Sequence, residues 1–167
     1  MPTAVTHVLL TIISVDIYRD YFYKHKDLIS LKMLLWAGII GLMPDIDIPI
    51  YWLLNNVLKL SVPWFHRAFS HTFLIPLLLV ILAFVFREKH RTSIMFAIAS
   101  FAWTGHLLLD MIFAGYAPIF WPFSKVEIGL DLLTRIGWPA LQEGIDAVLL
   151  IAWLWHEEWK HKISDFI

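Results

Sequence analysis

Five mainly apolar runs alternate with charged or proline-containing connections along the chain, at residues 4–18, 28–43, 72–86, 93–113 and 139–155. A helix that spans a membrane needs about 20 apolar residues to cross roughly 30 Å of hydrocarbon. Several runs are shorter, so we expect flanking Trp and Phe residues to complete them or the bilayer to thin locally. The pattern predicts an all-α, polytopic integral membrane bundle of about five helices, forming a single domain over residues 1–167.

Two further apolar stretches, 48–58 and 116–123, are too short to span a membrane, and we expect them to be interfacial or re-entrant. The competing interpretation of the whole pattern is a soluble all-α protein. The stretches 72–86 and 93–103 are apolar on every side of a helix, which favours the membrane interpretation.

Composition agrees with this pattern, because 59% of the residues are hydrophobic and only 16% are charged. We therefore expect the lipid bilayer to be a partner. The net charge of -1 argues against binding to nucleic acid. The chain has no cysteine, so any metal must be held by histidine and carboxylate side chains. The first ten residues lack the basic segment and cleavage site of a signal peptide, and we expect them to belong to the first helix.

Lysine and arginine residues are distributed unevenly over the connections between the runs. With the N-terminus outside, nine of them fall on the cytoplasmic segments 19–32, 87–92 and the C-terminal tail, and four fall on the other side. The positive-inside rule therefore predicts an N-out, C-in protein in the cell membrane. Asp16, His25, His90, His156 and His161 then lie at the cytoplasmic side, where we expect them to face headgroups or solvent.

In this topology, polar side chains from four separated segments meet at the outer face of the membrane. His106 and Asp110, for example, lie one turn apart on one face of the fourth helix. Five positions separate His66 from His71, so they do not share a helix face, and we expect His66 in a loop and His71 at a helix start. The full set of candidate metal ligands is His7, Asp45, Asp47, His66, His71, His106 and Asp110.

Imidazole and carboxylate groups suit Zn²⁺, and a mixed nitrogen and oxygen set also accepts Mn²⁺ or Fe²⁺. Seven ligands exceed what one tetrahedral ion uses, so the site holds one or two ions, with Asp45 or Asp47 as a bridge between two. Each segment also has a structural alternative. Asp45 and Asp47 can terminate a helix, His66 and Arg67 can anchor the interface, His71 can cap a helix, and the pair His106 and Asp110 can join helices.

The polar segments form an ordered set of motifs: Thr6-His7, Pro-Asp-Ile-Asp at 44–47, His-Arg-Ala-Phe-Ser-His-Thr at 66–72, Gly-His-Leu-Leu-Leu-Asp at 105–110 and Trp-Pro-Phe-Ser at 121–124. This set resembles the YdjM-like family of inner-membrane-associated, metal-dependent hydrolases, of which some members are regulated by LexA. The resemblance covers most of the chain. Ala68 and Ser70 replace a glycine and a threonine that are usual in the family's His-Arg-Gly-x-Thr-His-Ser motif.

The family is distantly similar to zinc-dependent phospholipase C and P1-type nucleases, so the resemblance implies phosphoester chemistry. It also implies a site role for Glu143, which matches an acidic residue of the family. Glu143 is then a ligand or general base, with a helix-terminal acid as the alternative, and Asp146 lies one turn further along. Arg67 is the candidate for holding a phosphate or stabilising developing negative charge, with an interfacial anchor as the alternative.

The hypothesis is therefore a membrane-bound hydrolase in which metal-activated water attacks a phosphoester at the outer membrane surface. We expect an amphiphilic substrate, such as a phospholipid or a polyprenyl-linked phosphate, because the site opens at headgroup level. The sequence leaves two alternatives: a transporter of metal ions or protons, and a non-catalytic membrane protein with a structural metal. Protein partners are not predicted by the sequence.

Overall fold

The computed structural model describes residues 3–24, 26–60, 69–115, 117–137 and 140–162, and of residues 26, 114, 134 and 140–143 it describes the backbone alone. These ranges are almost entirely helical, and the single β-bridge within them joins Ala117 to Ile128. The α-helices are α1 (Ala4–Ile17), α2 (Leu31–Leu42), α3 (Asp47–Trp52), α4 (Leu74–Val85), α5 (His90–Leu109), α6 (Leu132–Ile136) and α7 (Ala140–His161). Each of the five predicted apolar runs therefore contains a helix, which confirms the all-α prediction.

The α1 and α2 helices pack closely because glycines of α2 face α1. A Cβ atom on Gly38 would lie 2.8 Å from Ile12 Cδ1, and one on Gly41 would lie 2.6 Å from the Thr11 hydroxyl oxygen. The hydroxyl of Thr11 donates a hydrogen bond to the carbonyl oxygen of His7 (2.8 Å). The contact between Gly41 and Thr11 places the N-terminal part of α1 beside the C-terminal end of α2.

The second predicted helix is longer than expected. A 3₁₀ turn at Met43–Ile46 joins α2 to α3, and a π-helical turn at Leu53–Val57 follows α3, so the helical path runs from Leu31 to Val57. The stretch 48–58 is thus a continuation of this helix for most of its length and not a separate element. Pro44 is accommodated because it lies in the first turn of the 3₁₀ segment, where a missing N–H group loses no hydrogen bond.

The α4 and α5 helices form a hairpin that is held by serine side chains. Ser93 donates a hydrogen bond to the Ala83 carbonyl (2.8 Å), and Ser100 donates one to the Pro76 carbonyl (2.9 Å). A π-helical turn at Asp110–Ala114 continues α5. Of the stretch 116–123, residues 119–123 form turns, and Ala117 and Ile119 are buried.

Two helical segments, Leu31–Val57 with 27 residues and His90–Phe113 with 24 residues, are long and apolar enough to cross a membrane. The α4 helix is also apolar but has only 12 residues. Its outer face exposes large side chains such as Leu77 and Phe84, and α7 exposes Val148 and Ile151. Such faces are typical of helices in contact with lipid or a partner. The five spans and the N-out orientation stay predictions.

Candidate metal centre

Four separate segments bring histidine and aspartate side chains to one buried point. His7 comes from α1, Asp45 from the 3₁₀ turn after α2, and His71 from the turn before α4. His106 lies in the last turn of α5, and Asp110 begins the π-helical turn that follows. One ligand atom from each of Asp45, His71, His106 and Asp110 lies within 4.8 Å of the other three. We call these four residues the central cluster.

The spacing within the central cluster matches that of ligands around one ion. His71 Nε2 lies 3.2 Å from Asp110 Oδ2 and 3.7 Å from Asp45 Oδ1. His106 Nε2 lies 3.5 Å from Asp45 Oδ1 and 3.7 Å from Asp110 Oδ2. Tetrahedral coordination with bonds of about 2.1 Å separates ligand atoms by roughly 3.4 Å. The four side chains are therefore close enough together to hold a metal ion.

A hydrogen bond fixes the tautomer of His106. Its Nδ1 atom lies 2.7 Å from the carbonyl oxygen of Gly41. A carbonyl oxygen only accepts hydrogen bonds, so Nδ1 carries the proton, and in the neutral ring Nε2 presents its lone pair to the cluster. Nε2 makes no hydrogen bond to the described part of the chain. Nε2 therefore faces carboxylate oxygens, an arrangement that is repulsive unless a proton or a metal cation lies between them.

His71 is oriented in the same way by a two-step relay. The Ser70 hydroxyl donates to Asp47 Oδ2 (3.0 Å), and Ser70 Oγ lies 2.9 Å from His71 Nδ1. Because the Ser70 hydroxyl group donates its hydrogen bond to Asp47, its oxygen accepts a hydrogen bond from the N–H group at His71 Nδ1. Nε2 of His71 is then directed toward the central cluster. Asp47 thus lies behind His71, where it orients the ring as second-layer carboxylates do for metal-bound histidines. The structure favours this role for Asp47 over that of a direct ligand.

His71 differs from the prediction in one respect, because it lies in a turn and not at the start of a helix. The α4 helix begins at Leu74, after Phe73, whose N–H group donates to the carbonyl oxygen of Ile119 (2.9 Å). The indole N–H of Trp103 donates to the Ser70 carbonyl (2.9 Å). These two bonds hold the turn against its neighbours and so set the position of His71.

His7 lies against the central cluster without belonging to its compact ligand set. Its ring stacks on that of His106, with centroids 3.9 Å apart, and its Nε2 lies 3.5 Å from Asp110 Oδ1. Asp110 therefore directs one oxygen toward His7 and the other toward His71 and His106. A carboxylate that bridges two ions has this arrangement. The bridging role was predicted for Asp45 or Asp47, whereas the geometry points to Asp110.

The central cluster is closed to solvent on most sides. The side chains of His71 and His106 are 0% exposed and that of Asp110 is 1% exposed, whereas Asp45 is 17% exposed. A recess of about 410 Å³ adjoins Asp45, and its other lining residues are apolar, among them Leu42, Met43 and Ile46. Asp45 is thus the point at which the cluster meets its surroundings.

The structure does not describe the side chains of three predicted site residues. His66 and Arg67 fall within residues 61–68, outside the described residues, and Glu143 lies in α7, where the structure describes its backbone alone. Their roles stay predictions. Asp146, one turn after Glu143, accepts hydrogen bonds from the hydroxyl groups of Thr3 and Thr6. It therefore joins α7 to the start of α1.

The prediction that Asp16 faces headgroups is wrong, and His156 is only partly exposed to solvent. Asp16 is 0% exposed and forms an ion pair with Arg19 (2.8 Å), while His156 Nε2 lies 3.6 Å from Asp16 Oδ2. His161 is partly exposed and lies 3.1 Å from Asp20 Oδ2. His90 is exposed as expected, and His25 lies outside the described residues. The sequence feature that indicates this ion-paired group is the spacing of Asp16, Arg19 and Asp20, which places them on one helix face.

The family model described as YdjM inner membrane protein matches residues 1–163. No curated protein and no solved structure is significantly similar to the chain.

Proposed function

Because the chain belongs to the YdjM inner membrane protein family, we propose that it is a membrane-bound, metal-dependent hydrolase whose central cluster holds the metal. The observation that carries this proposal is the convergence of Asp45, His71, His106 and Asp110, with two imidazole Nε2 atoms directed at two carboxylates. Two nitrogen and two oxygen ligands suit Zn²⁺ best, and they also accept Mn²⁺ or Fe²⁺.

A divalent ion supplies a water of lowered pKa and polarises the oxygen of the scissile group. The chain's own residues do the positioning. Gly41 and the relay of Ser70 and Asp47 hold the two imidazole rings, which directs Nε2 of each ring toward the central cluster. Asp110, with one oxygen toward His7, is the bridging ligand that we propose if two ions bind.

An amphiphilic phosphoester is the substrate class that we propose. The apolar recess beside Asp45 supports it, because an acyl or prenyl chain fits apolar walls while the phosphate lies next to the central cluster. Arg67 remains our candidate for holding that phosphate, and Glu143 our candidate for a general base or further ligand. A phospholipid and a polyprenyl-linked phosphate both have this chemistry.

The direct test is turnover by purified protein in detergent. Zn²⁺-loaded protein should hydrolyse either bis(p-nitrophenyl) phosphate or a phospholipid presented in mixed micelles, and chelation should stop the reaction. His106→Ala should keep the circular dichroism of the folded protein and lose turnover. His90→Ala, which changes an exposed histidine, is the matched control. Unfolding on chelation, without activity on either substrate, would support a structural metal instead.

The alternative of a metal transporter requires polar groups along a path through the protein. Along α1 from His7 to Asp16, the buried residues in between are Leu9, Thr11 and Val15. The hydroxyl of Thr11 is engaged with the His7 carbonyl. The other hydroxyl in this stretch belongs to the half-buried Ser14, and no charged side chain lies between His7 and Asp16. The few polar groups along this path support hydrolysis over transport.

The proposed orientation places the central cluster at the outer face of the membrane. Since the chain has no cysteine, single cysteines can report it. A cysteine at Ser124 should react with an impermeant reagent in intact cells, and one at Lys162 should react only after lysis. The reverse pattern would refute the N-out, C-in topology.

A further inference from the structure

A second group of histidine and carboxylate side chains lies at the other end of α1. Asp16 and Asp20 come from the end of α1 and the π-helical turn that follows it, and His156 comes from α7. One ligand atom from each lies within 4.8 Å of the other two. We call Asp16, Asp20 and His156 the distal cluster. Nine residues separate His7 from Asp16, which corresponds to roughly 13 Å along a helix.

Arg19 pairs with only one oxygen of each carboxylate. Its guanidinium lies 2.8 Å from Asp16 Oδ1 and 3.1 Å from Asp20 Oδ1. The second oxygens, Asp16 Oδ2 and Asp20 Oδ2, both lie 3.6 Å from His156 Nε2. That separation is too long for a hydrogen bond, but it is close to the roughly 3.4 Å between ligands of one tetrahedral ion.

Asp16 gives an observation that is independent of this clustering. Its side chain is 0% exposed, and Oδ2 accepts no hydrogen bond from any residue within the described ranges. The Nε2 atom of His156, which it faces, also makes no hydrogen bond there. A buried carboxylate oxygen without a donor is costly, and a bound cation removes that cost.

The charge around the distal cluster also favours a cation. Glu157 adds a third carboxyl group beside Asp16. Among the described residues, Arg19 is the one arginine that pairs with Asp16 and Asp20. Nε2 of His161 lies 3.0 Å from Arg19 Nη2 and 3.1 Å from Asp20 Oδ2, so one of these two residues already binds it, and we do not assign it to the ion.

We propose that Asp16, Asp20 and His156 form a second divalent cation site, separate from the central cluster. Two carboxylate oxygens and one imidazole nitrogen suit Mn²⁺ or Zn²⁺. The ion would connect the end of α1 with the last turns of α7 and offset the repulsion between the two carboxylates. This site does not depend on the function proposed for the central cluster.

The test is the number of Mn²⁺ ions bound per chain by the full-length protein in detergent, measured after equilibrium dialysis. His156→Gln should bind one ion fewer than the wild type, whatever number the central cluster holds. His90→Gln, which changes an exposed histidine, should bind the same number as the wild type. Asp20→Asn provides a second variant with the same expected loss, in case His156→Gln does not fold.

The wild type gives a further readout that needs no substitution. Pulsed electron paramagnetic resonance should detect Mn²⁺ coupled to a single imidazole nitrogen, and that signal should vanish in His156→Gln. An unchanged ion count in a folded His156→Gln variant, or no single-nitrogen signal in Mn²⁺-saturated wild type, would overturn the proposal. The distal cluster would then be an internal ion-pair network around Arg19.

Discussion

The central and distal clusters lie at opposite ends of α1 and differ in what surrounds their histidines. In the central cluster, Nδ1 of His106 and of His71 is held by a carbonyl and by a hydroxyl, which leaves Nε2 to the carboxylates. In the distal cluster, Arg19 already pairs with one oxygen of each aspartate. The comparison indicates that the central cluster is preorganised for a metal ion, whereas the distal cluster is partly neutralised by the chain itself.

The largest expected effect comes from removing a ligand of the central cluster. His71→Ala should weaken Zn²⁺ binding about 100-fold or more, since loss of a direct ligand exceeds the roughly 10–100-fold effect of a second-layer residue. Isothermal titration calorimetry in detergent measures this change. Binding at the distal cluster should persist, and an equal loss at both clusters would contradict their independence.

The relay behind His71 should have the next largest effect. Ser70→Ala removes the hydroxyl between Asp47 and His71 Nδ1, so the ring loses the partner that fixes its tautomer. We expect Zn²⁺ affinity to fall by about 10–100-fold. Ser124→Ala is the control, because that hydroxyl only accepts a bond from an exposed backbone N–H group (3.1 Å). Unchanged affinity in Ser70→Ala would show that the relay does not orient His71.

The packing of α1 on α2 supports the central cluster through Gly41. Gly41→Ala brings a Cβ atom to 2.6 Å from the Thr11 hydroxyl oxygen and 3.3 Å from the His7 carbonyl oxygen. We expect the free energy of unfolding to fall by about 1–3 kcal/mol, as for overpacked sites, with weaker Zn²⁺ binding. Chemical unfolding in detergent measures the first of these effects.

Gly105 provides the matched control for Gly41, because a Cβ atom there meets nothing within 4 Å. Gly105→Ala should leave stability unchanged or raise it by up to about 1 kcal/mol, since alanine favours helices over glycine. Equal effects of the two substitutions would contradict the role of close α1–α2 contact.

The smallest expected effect belongs to Asp146. Asp146→Ala removes the acceptor for Thr3 and Thr6 and should lower the free energy of unfolding by about 1 kcal/mol. Metal affinity per folded molecule should not change, because Asp146 joins helices. A large loss of bound metal in this variant would contradict this and indicate that Asp146 is itself a metal ligand.

Sequence patterns predicted the helices and all four residues of the central cluster for physical reasons. A long apolar run in a membrane has few stable structures besides a helix, because its backbone groups must bond to one another. Buried His and Asp residues need polar partners, so we expected those on the same side of the membrane to lie together. The continuous helix through Pro44 was missed because proline usually ends a helix. The turn at His71 depends on bonds from Trp103 and to Ile119, which no local pattern shows.

The distal cluster was missed for a different reason. Charged residues at a helix end are usually solvated, so Asp16 and His156 were predicted to be at the surface. Their burial follows from the packing of α7 against α1, a contact between residues about 140 positions apart in sequence. The helical spacing of Asp16 and Asp20 indicates a shared face but does not identify what covers it.

Anomalous diffraction at the zinc edge from metal-replete crystals tests the central claim most directly. The account predicts an anomalous peak about 2.1 Å from Nε2 of His71 and of His106, with oxygen ligands from Asp45 and Asp110. No ion beside His71 and His106 in protein saturated with Zn²⁺ would contradict it.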